Sequence, residues 1–138
     1  MGFPYSKVID AAGGTVEASD GSFHILVRFP AGTFRDPTTV VLRSPEDAHA
    51  SSGRDSGSKY YRVTCDKALV ADKFYDVYVK LIAAPSASWK VYTTNVVSDN
   101  DPGVWLPSPQ RFDGVGGPDM IGGTFCNVLG AFQLMKAR

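Results

Sequence analysis

Few side chains in this chain could do chemistry, and most of them stand in polar stretches. Its two histidines, His24 and His49, have no acid and nucleophile at a spacing that builds a hydrolytic triad. His24 lies in an alternating run and is expected on the surface of a strand, whereas His49 lies in the polar segment SPEDAHASSGRDSGS. No G-x-S-x-G, G-x-x-x-x-G-K or H-E-x-x-H is present, so serine-hydrolase, phosphate-loop and zinc-peptidase readings have no anchor. The densest set of oxygen ligands is Asp99, Asn100 and Asp101 before Gly103, with Asp113 and Asp119 beyond. Converging, they could hold calcium, a hard cation that takes carboxylate and amide oxygens. The same Asp-Asn-Asp-Pro-Gly run is what a plain turn uses, because Asx side chains bond their own backbone and Pro-Gly sets the reversal.

Trp89, Trp105 and several tyrosines offer a second chemistry, a platform on which sugar rings stack; in a β-sandwich, Trp serves the core more often. Cys65 and Cys126 each have an apolar residue two positions away, Val63 and Val128, and no CxxC occurs. They read either as two buried thiols acting as small hydrophobes or as a disulfide between sheets.

The elements that must position these groups are strands. From Phe23 to Phe29, Phe23, Ile25, Val27 and Phe29 alternate with His24, Leu26 and Arg28, the period of a half-buried strand. Gly13-Gly14 and Asp20-Gly21 supply reversals before it, and Pro30-Ala31-Gly32 ends it. Further strands are expected over 5–9, around Val16 and Ala18, and over 38–43, 59–65, 73–82 and 89–97. Trp105-Leu106, 124–128 and 131–136 complete the set. Residues 44–58 and 110–123, rich in turn formers and glycine, are expected to be two long surface loops. The sum is a single all-β domain over 1–138, an antiparallel β-sandwich of about eight or nine short strands.

Composition narrows the function classes. An apolar fraction of 43% supports a packed core, and 14 basic residues balance 14 acidic ones, so no global field draws the chain to nucleic acid. No segment approaches the roughly 18 apolar residues of a membrane-spanning helix, so no membrane span is expected. The opening MGFPYSKVID lacks the apolar run of a signal peptide, which favours the virion or cytoplasm over secretion.

Gly13-Gly14, Asp20-Gly21, the alternating strand closing in Phe29-Pro30-Ala31-Gly32-Thr33 and the run Thr38-Thr39-Val40 resemble the opening of a known domain. It is the β-sandwich shared by ankyrins, netrin receptors and zonula occludens proteins, with relatives in bacterial surface proteins. Trp89-Lys90-Val91-Tyr92, Val104-Trp105-Leu106-Pro107 and Gly130-Ala131-Phe132-Gln133-Leu134 are similar to its closing strands. The resemblance implies a sandwich that binds other proteins. Some members self-cleave at a His-Phe-Ser near the last strand; here the matching place reads Leu129-Gly130-Ala131-Phe132, so self-cleavage is not expected.

Interaction is therefore the leading expectation, and no enzyme activity is expected. If Tyr61, Val63, Tyr75 and Val77 face the core, then Tyr60, Phe74, Tyr78 and Tyr92 point outward and could form an apolar patch that takes a protein partner. They also read as cross-strand pairs stiffening an exposed sheet, the commoner arrangement, and both can hold at once. The expected role is a structural protein, a subunit or accessory of a larger assembly such as a protein decorating a viral capsid, packed against copies of itself or a larger surface. The alternatives are a protein-binding module of a cell-surface or cytoskeletal protein and a carbohydrate-binding module. No cofactor is expected beyond the calcium considered above.

Overall fold

The computed structural model describes residues 3–21, 23–46, 53–67, 73–80, 88–94, 106–108, 120–126 and 130–137. Eleven strands run through them and no helix: β1 (Tyr5–Ile9), β2 (Gly14–Asp20), β3 (Phe23–Phe29), β4 (Thr38–Glu46), β5 (Arg54–Ser56), β6 (Tyr60–Cys65), β7 (Phe74–Lys80), β8 (Lys90–Thr94), β9 (Leu106–Pro107), β10 (Met120–Cys126) and β11 (Ala131–Ala137). They form two antiparallel sheets. The larger has the order β1-β4-β6-β11-β8-β9, with β5 also on β11, and the smaller has the order β10-β7-β3-β2. The molecule is an all-β sandwich.

Alternation decides what lies between the sheets. Ile25, Val27 and Phe29 of β3, Tyr75, Val77 and Val79 of β7, and Tyr61 and Val63 of β6 all enter one buried cluster, joined by Phe132 and Leu134 of β11. Its aromatic heart is Phe29, Tyr75, Phe125 and Phe132, whose ring centroids stand 5.0 to 6.3 Å apart at tilted or edge-on angles. Trp89 belongs to this core, with Lys136 Nζ 5.0 Å from its ring, so it is no platform for a sugar.

Two of the connections depart from expectation. The first long loop is shorter than 44–58, because β4 continues to Glu46 and β5 occupies Arg54–Ser56. β5 and β6 pair with the same strand, β11, and between them the Leu134 amide donates to Ser58 Oγ at 2.9 Å while the Gly57 amide donates to the Leu134 carbonyl at 2.7 Å. A serine hydroxyl thus stands in for a backbone acceptor where the strand is broken. The second loop also ends early: Gly122 and Gly123 lie within β10, paired with Tyr78 and Val77. Their lack of side chains suits close packing, for a Cβ on Gly122 would come within 2.5 Å of the Tyr78 ring. Turn-like composition here marks a strand lying under an aromatic ring.

At the start of the chain, β1 and β2 leave a tight reversal in which the Gly13 amide donates to the Asp10 carbonyl at 3.0 Å. Gly13 has φ +81°, and any Cβ there would strike the Phe29 carbonyl. The two strands then part into different sheets, and Lys7 Nζ reaches across to the Thr15 carbonyl at 3.0 Å.

Candidate functional site

The outer face of the smaller sheet carries the densest polar arrangement among the described residues. It is built by the strand positions opposite to those that fill the core: His24, Leu26 and Arg28 on β3, Phe74, Asp76 and Tyr78 on β7, and Met120 and Thr124 on β10. Register sets Arg28, Asp76 and Thr124 side by side on three adjacent strands. Asp76 accepts two hydrogen bonds from Arg28, at 2.8 and 3.1 Å, on Oδ2 and one from Thr124 Oγ1, at 2.8 Å, on Oδ1. Arg28 also donates to Tyr78 Oη at 3.2 Å. The carboxylate is buried, and charge-assisted bonds of this kind are what allow a charge to stay there.

Such an arrangement orders a surface and leaves little for proton transfer, since both oxygens of Asp76 are occupied. Nearby, His24 Nε2 lies 2.5 Å from Glu17 Oε1, a histidine and carboxylate pair. The side chain opposite His24 on β2 is Ser19, and no hydrogen bond joins Ser19 to the imidazole, so the pair has no nucleophile in place. Among the described residues no group of three or more His, Cys, Asp or Glu side chains is gathered to hold a metal. Asp99, Asp101, Asp113 and Asp119 lie outside the described residues, as do His49 and Trp105.

The four aromatics expected to point outward do occupy the outer faces, but only one is exposed. Tyr78 is fully buried in a cluster with Leu26 and Met120, lying over Gly122. Tyr60 and Tyr92 are buried on the outer face of the larger sheet with Ala131 and Met135. There Arg62 donates to Tyr60 Oη at 3.2 Å, and the Arg54 guanidinium sits 4.6 Å from the Tyr92 ring. Phe74 alone stands out, at 59% exposure. Alternation gives the face a side chain points to; it does not give what lies over that face, which is why three of the four came out covered.

Cys65 is a free thiol, half-buried at the end of β6, and its Sγ–H donates to the Lys67 carbonyl. Burial raises its pKa, which favours the thiol over the thiolate. The side chain of Cys126 lies outside the described residues. A shallow cleft of about 290 Å³ lies between Phe3, Pro4, Arg43 and Ser44 on the larger sheet. No described helix is long and apolar enough to cross a membrane. No family model matches the chain, and no curated protein matches its sequence.

Proposed function

We propose that the chain is a non-catalytic structural protein that works by binding other proteins, as a subunit or accessory of a larger assembly. The observation that carries this reading is Phe74. Among the described residues it is the one exposed aromatic, and it stands on a sheet face where Arg28 and Asp76 are already bonded to each other. An exposed aromatic beside a polar row is the composition of a contact surface: the ring supplies apolar area, and the charges of the row, already paired with each other, need no new partner when covered. The resemblance of the opening strands to the β-sandwich of ankyrins and netrin receptors supports a binding role and keeps a second form of it in view, a module that binds one partner as a monomer.

The test is sedimentation of the chain over a wide concentration range beside Phe74→Asp. An assembly subunit self-associates, and Phe74→Asp dissolves the oligomer while its melting temperature stays within about 2 °C of the parent's, since surface changes alter stability little. A strict monomer would remove the self-assembling form, and an oligomer indifferent to Phe74→Asp would remove this face from the contact.

A further inference from the structure

Among the described residues four strand edges bound the two sheets, and they are not equally open. β9 has only two residues. On β10, both the amide and the carbonyl of Thr124 meet Ser108 Oγ, at 3.1 and 3.4 Å. β1 has five residues directly after Pro4. The remaining edge, β2, runs seven residues without proline, and its register on β3 is unbroken from Gly14 to Asp20.

Turn geometry identifies which backbone groups of β2 face outward. Two residues link Asp20 to its partner Phe23, and the first, Gly21, has φ +61°, as a two-residue hairpin requires. The pair that closes such a hairpin exchanges both hydrogen bonds, and bonded pairs alternate along an antiparallel ladder. Asp20, Ala18 and Val16 therefore bond inward to β3, and Thr15, Glu17 and Ser19 turn their amides and carbonyls to the open edge. Lys7 Nζ on the Thr15 carbonyl agrees with that phase. No hydrogen bond between described residues reaches the amide or carbonyl of Glu17 or Ser19 from beyond β2.

Resting on the reading of the chain as a binding protein, we propose that the free edge of β2 takes up an extended segment of another protein as an added strand, one that carries Lys or Arg against Glu17. Main-chain bonds to Glu17 and Ser19 give the affinity, and alternate side chains give the choice of partner. The side chain of Glu17, at the centre of the edge, is 47% exposed while its Oε1 meets His24 Nε2, so it offers an incoming strand a solvent-accessible carboxylate to share; Asp20, 64% exposed, points to the other face and meets Lys59 Nζ at 3.4 Å. Val16 and Ala18, fully buried on either side of Glu17 in the strand, ask for apolar side chains at the alternate positions. A second copy of the chain fits less well. β2 paired antiparallel with itself over its full length is centred on Glu17, which sets two glutamates opposite each other.

The probe is a labelled seven-residue peptide alternating valine and lysine, titrated into the full chain, with a valine and glutamate peptide as control. The expected result is saturable binding that slows amide exchange at Glu17 and Ser19. Affinity is expected to fall about tenfold or more for the glutamate peptide and for Glu17→Pro, which removes one outward amide. Should Glu17→Pro disturb the fold, Glu17→Lys serves in its place and is expected to reverse the preference between the two peptides. No binding, binding without protection of those two amides, or a preference unchanged by Glu17→Lys would overturn the proposal. So would self-association that Glu17→Pro abolishes while peptide binding is absent, since it would assign the edge to a second copy. Phe74→Asp is expected to leave peptide binding intact, so failure at this edge and failure of the Phe74 surface are read separately.

Discussion

On the flank where β9 and β10 meet, one serine closes the sandwich; on the flank where β1 and β2 part, no described residue bonds the outward backbone of β2 at Glu17 and Ser19. Ser108 continues β9, its amide bonded to the Val91 carbonyl at 3.0 Å, and its hydroxyl crosses to both backbone groups of Thr124 on the other sheet. The opposite flank has a covalent link, the reversal at Asp10–Gly13, and two charged tethers, Lys7 to the Thr15 carbonyl and Lys59 to Asp20. Both devices keep the sheets from sliding, yet only the first also satisfies the edge. A sandwich can thus be closed at one side for stability and left open at the other for pairing.

Both flanks hang from a common core, so the largest expected effect is on that core. Val27 is fully buried on β3, the strand that links β2 to the rest of its sheet. Val27→Asp places an unpaired charge there and is expected to cost more than about 4 kcal/mol, enough to unfold a domain of ordinary stability. Circular dichroism and thermal melting would read this; a Val27→Asp chain that melts like the parent would remove β3 as the common support.

A smaller effect separates the flanks. Ser108→Ala removes the hydroxyl that serves Thr124 and is expected to cost about 1 to 2 kcal/mol, with faster amide exchange at Thr124. Ser19→Ala, on the open edge, changes a half-buried side chain that makes no bond across the edge and is expected to stay within about 0.5 kcal/mol. Chemical denaturation of the two variants side by side is the measurement. Equal costs would mean that the serine closure adds nothing the hairpin lacks.

The two flanks also differ in how much of them the sequence announces. Gly13-Gly14 and Asp20-Gly21 are punctuation with a steric cause, and the alternation of Phe23 to Phe29 carries both the strand and its buried face, so the open flank and the core are legible. At the closed flank the signals mislead. Gly122 and Gly123 have the composition of a loop, and what makes them strand is the Tyr78 ring and Ser108 packed against them, partners 44 and 15 residues away in the chain. The row Arg28, Asp76 and Thr124 was missed for the same reason: each residue is unremarkable in its own strand, and only the register of three strands joins them. Charge alternation at Arg28 and Asp76 was the one available signal.

An effect seen only at high pH concerns the open flank and its proximity to charge. Tyr61 is fully buried on β6, its ring 5.7 Å from Phe3, and burial raises its phenol pKa well above the ordinary value near 10, with the Asp20 carboxylate adding to the rise. The folded state therefore holds the proton more tightly than the unfolded chain does. Stability from this group is fully present below the unfolded value and is lost as pH climbs through it toward the folded one. At pH 11 the loss from one such tyrosine is about 1.4 kcal/mol, from the ionisation the unfolded chain gains. Comparing Tyr61→Phe with the parent between pH 8 and 11 isolates it, because every other titrating group is common to both. The parent is expected to lose more stability than Tyr61→Phe over that span, and parallel curves would mean that the phenol beside Asp20 meets water, so that the flank is open deeper than the edge of β2.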